Sequence, residues 1–459
     1  MHRRVSNPFA AREDPTSPDQ IRNEHKSAGY VGRAARPPAK THLPFRIGRQ
    51  SKSFIFLLAA SIALPSLSID SCLASLPVIG VSLGARPVDT VSILSLFMIG
   101  FAGGQLAFGP LSDRIGRRPA LLIGCILFAV AAVGCACAPT LAILSFWRFV
   151  QGLGAAAGSV ITFAIIRDLF SGTAARSRLS YISVVGTIAP IVAPTVGGLI
   201  ATWQGWRAVF FWLAAAAALL VIVLLIGLEE SLSTRNRHAL RPRRLITNYW
   251  RVLSHRTCLL YLLIGGFSFG ALFAYVSGSA FVFIDVFGVD PRIYGALFAV
   301  NAFAIAVGAF TSGRLCTRGV AANRLILAGL IISFCATAAL FSGAIFGWLN
   351  AFSIMPLLIL NTFSMGLVTP NAVHGTMEPM PRIAGVASSA FGSIRMLGGA
   401  VSSEFVAWWY HGTPVAMGET MALFAACALF VGLFLIQPRR SRGERREPAG
   451  AIANAVNAP

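Results

Sequence analysis

The chain has 459 residues, of which 56% are hydrophobic and only 12% are charged, and its mean hydropathy is +0.71. Soluble domains carry about 25% charged residues, so this composition excludes an ordinary soluble protein and predicts an integral membrane protein. The formal net charge of +21 does not indicate a nucleic-acid partner. The basic residues fall in short blocks between apolar runs of about 20 residues, each long enough to cross a bilayer, and the positive-inside rule explains them better.

Twelve apolar segments are each long enough to span a bilayer. They run over about 54–79, 91–110, 119–138, 140–163, 179–201, 207–228, 258–283, 293–313, 323–346, 349–371, 384–406 and 415–436. Alternate gaps between them are rich in arginine, as in the gap with Arg114, Arg117 and Arg118, whereas the other gaps hold few basic residues. Arginine-rich loops stay in the cytoplasm, so these gaps and both termini are predicted to be cytoplasmic.

The longest interior gap, residues 229–257, divides the spans six and six. It contains seven arginines between Arg235 and Arg256 together with the helix breaker Pro242. Two related halves with a substrate site between them are typical of transporters. The predicted organisation is a disordered basic cytoplasmic tail (1–53), an N-terminal half (54–228), a cytoplasmic linker (229–257), a C-terminal half (258–436) and a cytoplasmic tail (437–459). Part of the first tail can also be an artefact of the assumed translation start.

Eight cysteines show no metal-ligand spacing and mostly lie within apolar runs, where free cysteine behaves as a small hydrophobe. We therefore expect no metal site and no disulfide. Motifs of a serine hydrolase, a zinc protease, a Walker loop or a dinucleotide-binding loop are not found, so an enzyme is not expected.

The run from Gly109 to Arg118 places an acid, three arginines, two glycines and a proline between two apolar segments. A carboxylate at Asp113 can accept hydrogen bonds from helix N-termini and pair with arginines, and glycine permits a sharp reversal. An ordinary positive-inside loop would explain the arginines but not Gly109, Gly116 and Asp113. The run resembles the signature loop G-x-L-x-D-x-x-G-R-[RK] of the major facilitator superfamily. That resemblance implies an all-α fold of twelve membrane helices and a conformational latch that includes Arg117.

Two charged residues lie inside predicted spans. Asp70 is in the first span and Arg148 is in the fourth, both roughly 12–14 Å from the outer ends of their spans. An acid in a span costs about 2.5–3.5 kcal/mol on insertion scales, so Asp70 should face the protein interior, where a carboxyl can take up and release protons. We predict that the two form a proton-coupling pair. The alternatives are a hydrogen-bonded structural acid and a structural cation held by backbone carbonyls.

The fifth span carries Gly186, Pro190 and Pro194 at intervals of four residues, followed by Gly197 and Gly198. Interior prolines bend a helix, and a bent helix with a face of small residues suits a moving interface between halves. A generic kinked span is the alternative. The stretch resembles the antiporter motif of the superfamily's drug exporters, which implies export against a proton gradient rather than uptake.

The rest of the chain is similar to the Bcr/CflA family of drug-resistance exporters. The similar stretches are Arg167–Phe170, Leu228–Leu232, Tyr275–Val282, Asn301–Phe303, Thr369–Ala372 and Glu378–Gly385. The resemblance implies a bacterial inner-membrane carrier that exchanges protons for amphipathic drugs or small metabolites. It also implies a monomer that is driven by the proton gradient without a cofactor. An importer or facilitator of a small metabolite, or a non-transporting membrane sensor, remains the alternative.

Four polar side chains are candidates for substrate binding: Gln151, Tyr275, Asn301 and Arg395. Arg395 lies near the middle of the eleventh span, where the family usually has an uncharged residue. A cation at that depth needs a cavity or a partner. Glu404 follows nine residues later, on the opposite helix face, so it cannot be that partner. Arg395 can either favour anionic or zwitterionic substrates in a central cavity or be anchored by a neighbouring helix.

Overall fold

A computed structural model describes residues 51–232, 234–236 and 239–436. Nearly all of the predicted first tail, the whole predicted second tail (437–459) and Arg237 of the linker lie outside the described residues. Within those ranges the regular secondary structure is helical, with no β-strand.

Fourteen α-helices cover most of the described chain. They are α1 (Lys52–Asp70), α2 (Leu76–Ser82), α3 (Ser92–Ile115), α4 (Arg117–Ala136), α5 (Leu141–Leu169), α6 (Gly172–Gln204), α7 (Trp206–Gly227), α8 (Pro242–Ser254), α9 (Arg256–Ala280), α10 (Pro291–Thr317), α11 (Ala322–Ile345), α12 (Ile354–Met377), α13 (Ala384–Trp409) and α14 (Val415–Ile436). Short 3₁₀ turns follow α1 and precede α3 and α13, and a wider π turn extends α9 over Phe281–Val286.

Eleven stretches of the described chain are long and apolar enough to cross a membrane, and the first of them, Lys52–Ser82, contains both α1 and α2. The remaining predicted span is α13, whose 26 residues are long enough but less apolar, because Arg395, Glu404 and many small residues dilute its hydrophobicity. Helix α13 packs against α3 and α9, so protein rather than lipid covers much of its surface. With α13, twelve helical spans are present, as predicted.

The same packing pattern appears twice. In the first half (α1–α7), α5 packs on α3 and α4, α7 packs on α4, and α6 packs on α1. In the second half (α9–α14), α12 packs on α10 and α11, α14 packs on α11, and α13 packs on α9. Glycines repeat the pattern, since Gly100 of α3 lies against the carbonyl of Phe149 and Gly308 of α10 lies against the carbonyl of Phe363. The six-helix halves are therefore structurally related.

Two pairs of helices join the halves, α3 with α13 and α6 with α10. Between α13 and α3, the Ser393 hydroxyl donates a hydrogen bond of 2.9 Å to the carbonyl oxygen of Ala102. Between α6 and α10, a side chain built at Gly295 would lie 3.0 Å from the hydroxyl of Thr195. We call the end of the helix bundle at which α3 ends and α4 begins the basic side, and the opposite end of the bundle the far side. The α6–α10 contact lies toward the far side.

Pro242 does not interrupt a helix in the linker but begins one. A proline in the first turn costs no hydrogen bond, because that N–H has no partner within a helix. Helix α8 exposes Ile246 and Trp250, while the Tyr249 hydroxyl donates a hydrogen bond of 3.1 Å to the carbonyl oxygen of Leu106 in α3. Burial raises the pKa of Tyr249 to about 12, so the phenol remains a donor at neutral pH. The linker is thus tied to the helix that leads into the predicted latch.

Gly100→Ala should destabilise the protein, because the added methyl group would overlap the Phe149 carbonyl at the α3–α5 crossing. Overpacking of this kind typically costs about 1–3 kcal/mol. Gly103→Ala, one turn along the same helix, is the matched control, since its methyl group would meet only Leu153 at 3.8 Å. Melting temperatures in detergent should fall for Gly100→Ala and not for Gly103→Ala. Equal melting temperatures for the two variants would contradict the close α3–α5 crossing.

Candidate functional site

The first span is interrupted immediately after Asp70. Helix α1 ends there, the 3₁₀ turn Leu73–Ser75 follows, and α2 begins at Leu76. Pro77 lies in the first turn of α2, where its missing N–H costs no hydrogen bond within that helix, so its position fits a helix that begins after the break. The single helix predicted over 54–79 is therefore two helices. The break lies beside a carboxyl group that is only 7% exposed.

Asp70 lies near two tyrosines of the second half. Its carboxyl lies within electrostatic range of the phenols of Tyr275 in α9 and Tyr294 in α10. The Tyr294 hydroxyl in turn shares a hydrogen bond of 2.9 Å with the hydroxyl of Ser279. In the described part of the chain, no basic side chain comes within 4.0 Å of the Asp70 carboxyl. The 3₁₀ turn that follows Asp70 packs on α9 and α10, so the break in the first span adjoins the second half.

Arg148 is fully buried and is held by neutral acceptors. Its guanidinium donates to the Ser68 hydroxyl at 2.7 Å, to the Gln151 amide oxygen at 2.8 Å and to the Ile93 carbonyl oxygen at 3.2 Å. It also lies 4.4 Å over the ring of Phe97. These contacts correspond to the structural-cation alternative raised from the sequence.

The predicted pairing of Asp70 with Arg148 does not occur as a direct contact. Ser68, which binds Arg148, is two residues from Asp70, and two residues turn an α-helix by about 200°. Arg148 therefore meets one face of α1 while Asp70 projects from the opposite face. Gln151, predicted as a substrate ligand, is fully buried, and its amide oxygen accepts the hydrogen bond from Arg148. The roles assigned to these residues in proton coupling remain predictions.

The stripe of small residues in α6 packs on α1. Gly197 lies against the carbonyl of Ser71, the residue after Asp70, and a side chain at Gly186 would lie 3.8 Å from Ile62. Pro194 and Gly198 are buried, and Pro190 is half-buried within the helix. This face was expected to form the interface between halves, but it contacts its own half. Thr195, on an adjacent face, makes the contact with α10, because one helix cannot present the same face to two neighbours.

Tyr275 and Asn301 lie together in the second half. Tyr275 is buried beside Asn301 and stacks on Phe298, with ring centroids 5.8 Å apart. The Asn301 amide donates to the Leu297 carbonyl oxygen at 3.1 Å, while its own oxygen is buried without a hydrogen-bond partner in the described part of the chain. Sequence reasoning missed Tyr294 and Phe298. Their spacing of four residues, with Asn301 three residues later, is the helical pattern that could have found them.

Arg395 lies on the interior face of α13. Its guanidinium is 4.3 Å over the ring of Phe269, and its Nε is buried with no hydrogen-bond partner among the residues that the structure describes. Burial of an ion costs several kcal/mol, whereas a cation–π contact returns about 0.5–2 kcal/mol. The aromatic contact alone therefore does not offset the cost of this charge.

Glu404 projects from the opposite face of α13, as its spacing from Arg395 predicts. It is exposed and lines an apolar groove of about 410 Å³ between α3 and α13, together with Ile99, Val401 and Trp408. It cannot neutralise Arg395 from there.

The predicted latch is a helix end rather than a loop. Helix α3 continues through Pro110 to Ile115, Gly116 makes the reversal with φ +114°, and α4 begins at the next residue. A side chain at Gly116 would also overlap the carboxylate of Glu230. A side chain at Gly109 would lie 3.9 Å from the hydroxyl of Ser389 in α13, so this end of α3 also contacts the second half.

Arg117 is the centre of a charge network on the basic side. Its guanidinium binds Asp113 at 2.6 Å and Asp168, at the end of α5, at 2.9 Å. Its backbone N–H donates to Glu230 at 2.9 Å, and the N–H of Arg118 donates to the same carboxylate at 3.3 Å. Sequence reasoning assigned no role to Asp168 and Glu230. They lie in stretches that resemble the exporter family, which was the available signal.

Arg117→Ala should lower stability, since it leaves Asp168 partly buried without its cation. Because Asp113 is half exposed, we expect a loss of about 1–3 kcal/mol, below the value for a fully buried pair. Arg114→Ala, at a neighbouring exposed arginine, is the control and should change stability by less than about 0.5 kcal/mol. Thermal unfolding in detergent measures both. If the control variant lost as much stability as Arg117→Ala, the network would not be what holds this corner.

Comparisons with known proteins agree with this architecture. The model of the Major Facilitator Superfamily matches residues 53–403. A solved bacterial homologue of the human lysosomal transporter Spinster, described as inward-facing and occupied, superposes with a TM-score of 0.64. The superposition covers 83% of this chain and 95% of the homologue. Because the two sequences are only 14% identical, the likeness supports the fold alone.

The chain is similar to several bacterial proteins over nearly the whole length of each of them. The bicyclomycin resistance protein homologue of Haemophilus influenzae is 30% identical, covering 86% of this chain and 100% of that protein. An uncharacterised transporter of Bacillus subtilis, YdgK, is 33% identical, and the match covers 82% of this chain and 94% of that protein. Multidrug resistance protein D of Escherichia coli is 27% identical, and the match covers 79% of this chain and 90% of that protein. With its many apolar helices, the protein is a multi-pass protein of a bacterial inner membrane. The chain belongs to the major facilitator superfamily, among its transporters of the Bcr/CflA type.

Proposed function

We propose that the protein exports small amphipathic molecules, drugs among them, across the inner membrane in exchange for protons by alternating access. The observation that carries the proposal is the position of Asp70. This carboxyl belongs to the first half and lies at a break in the first span, and the 3₁₀ turn that follows it packs on α9 and α10 of the second half. The proton gradient would be the energy source, with no cofactor.

Protonation of Asp70 would change the attraction between the halves. A charged carboxylate attracts the dipoles of nearby hydroxyl groups more strongly than a protonated carboxyl does. Because the hydroxyls belong to the other half, each proton bound or released would shift the balance between two arrangements of the halves. Gly197 lies against Ser71, so a shift at this break would be transmitted directly to α6 and from Thr195 to α10.

The direction of transport rests on different support. The antiporter-like stretch of α6 and relatives named for bicyclomycin and multidrug resistance favour export over uptake. We further propose that the basic side faces the cytoplasm, as the positive-inside rule requires, and that the protein acts as a monomer.

Asp70→Asn should abolish proton-coupled transport. In inverted membrane vesicles with an acid interior, addition of a transported drug releases protons, and recovery of acridine-dye fluorescence reports this release. A panel of amphipathic antibiotics serves as the substrates. The wild-type protein should give a response and Asp70→Asn should give none, because a neutral amide cannot carry a proton. Asp285→Asn, at an exposed acid on the far side, is the control and should retain the response.

Exchange of labelled for unlabelled drug without a gradient checks that the Asp70→Asn protein is folded. Exchange should continue in the variant, because alternating access with bound drug does not require the proton. Proton release by Asp70→Asn at the wild-type rate would refute the assignment of the proton site. Drug accumulation inside cells that express the protein would instead favour the importer.

A further inference from the structure

We propose that Arg395 binds an anionic group of the substrate, such as a carboxylate, sulfonate or phosphate, and so makes the transporter selective for anionic amphipathic molecules. This inference rests on the proposed transport function and names its substrate class. It comes from a mid-membrane guanidinium that has no carboxylate within 4.0 Å and a buried Nε without a hydrogen-bond partner in the described part of the chain.

Arg395 points to the interior between α3 and α9. Gly392, three residues earlier, packs against Gln105 of α3, and Gly399, four residues later, packs against Met98 of α3 and Phe269 of α9. The side chain between these two contacts therefore faces the same interior side. The opposite face, with Glu404, is the exposed one.

The guanidinium lacks a resident counter-charge. Across the described residues, no carboxylate lies within 4.0 Å of it, and its buried Nε has no hydrogen-bond partner. Arg148 and Arg117, by contrast, each have several acceptors. Arginine presents five N–H donors in a planar fork that matches carboxylate, sulfonate and phosphate oxygens. The missing component at Arg395 is thus an anion.

The depth of Arg395 argues for a substrate rather than a lipid. It is the twelfth of 26 residues in α13, roughly 17–21 Å from either helix end, whereas lipid phosphates lie at the membrane surfaces. The residue is not fully buried, although its Nε is. Phe269 stacks on Phe273 with centroids 4.6 Å apart, which supplies apolar surface beside the cation.

The test compares two molecules of nearly equal shape, naphthalene-1-sulfonate and neutral naphthalene-1-sulfonamide. Calorimetric titration of the purified protein in detergent gives both dissociation constants. The wild-type protein should bind the sulfonate at least about tenfold more tightly, about 1.4 kcal/mol. Arg395→Gln should remove this preference, because the variant lacks the positive charge that attracts the sulfonate. Its dissociation constant for the neutral sulfonamide should stay within about threefold of the wild-type value. Arg395→Lys should keep part of the preference, since it retains the charge without the planar fork.

Glu404→Gln is the matched control, a change of charge on the opposite face of the same helix, and should leave the preference unchanged. The proposal is overturned if wild-type protein does not prefer the sulfonate, or if the preference survives in Arg395→Gln. Sodium sulfate that binds as tightly as the sulfonate also overturns it, because a free inorganic ion would then be the ligand. Binding needs no gradient, so these outcomes are independent of those for Asp70→Asn.

Discussion

The close contact between Gly197 and the carbonyl of Ser71 is the constraint on which the central arrangement depends. Any side chain at Gly197 would overlap that carbonyl, so only glycine lets α6 cross α1 at this distance. The crossing lies at the break after Asp70 and brings α6, which contains two prolines, next to the segment that carries the buried carboxyl. The same helix reaches α10 through Thr195, so Asp70 and the contact between halves lie on connected elements.

Three arginines show how differently a cation can be accommodated in this protein. Arg148 is surrounded by neutral acceptors and a ring, and Arg117 is paired with two acids. Each therefore holds neighbouring helices together. Arg395 has an aromatic contact alone among the described residues. In the described part of the chain the first two guanidinium groups thus have hydrogen-bond acceptors, whereas the buried Nε of Arg395 has none.

Much of the fold could be predicted from sequence. Apolar runs of one bilayer thickness predict the twelve spans, and the arginine-rich gaps predict their alternation. The helix boundaries were less predictable. Pro77 interrupts the first span, Pro242 begins the linker helix, and the signature run extends α3 up to Gly116. In each case the helix boundary depends on the position of one residue, either a proline without an N–H or a glycine with a positive φ. The composition does not specify whether that residue lies inside a helix or at its end.

The sequence by itself determined the membrane class, the two halves, the superfamily motifs and the depth of each buried charge, because these follow from hydrophobic length and residue order. Only the tertiary structure decided which helix face each charge occupies and what it meets there. Asp70 and Arg148 match in depth yet lie on different sides of α1, and no acid of the described ranges pairs with Arg395. The physical reason is that side-chain contacts depend on the rotation of packed helices about their axes. That rotation is set by the whole interface, including the glycines that let helices approach.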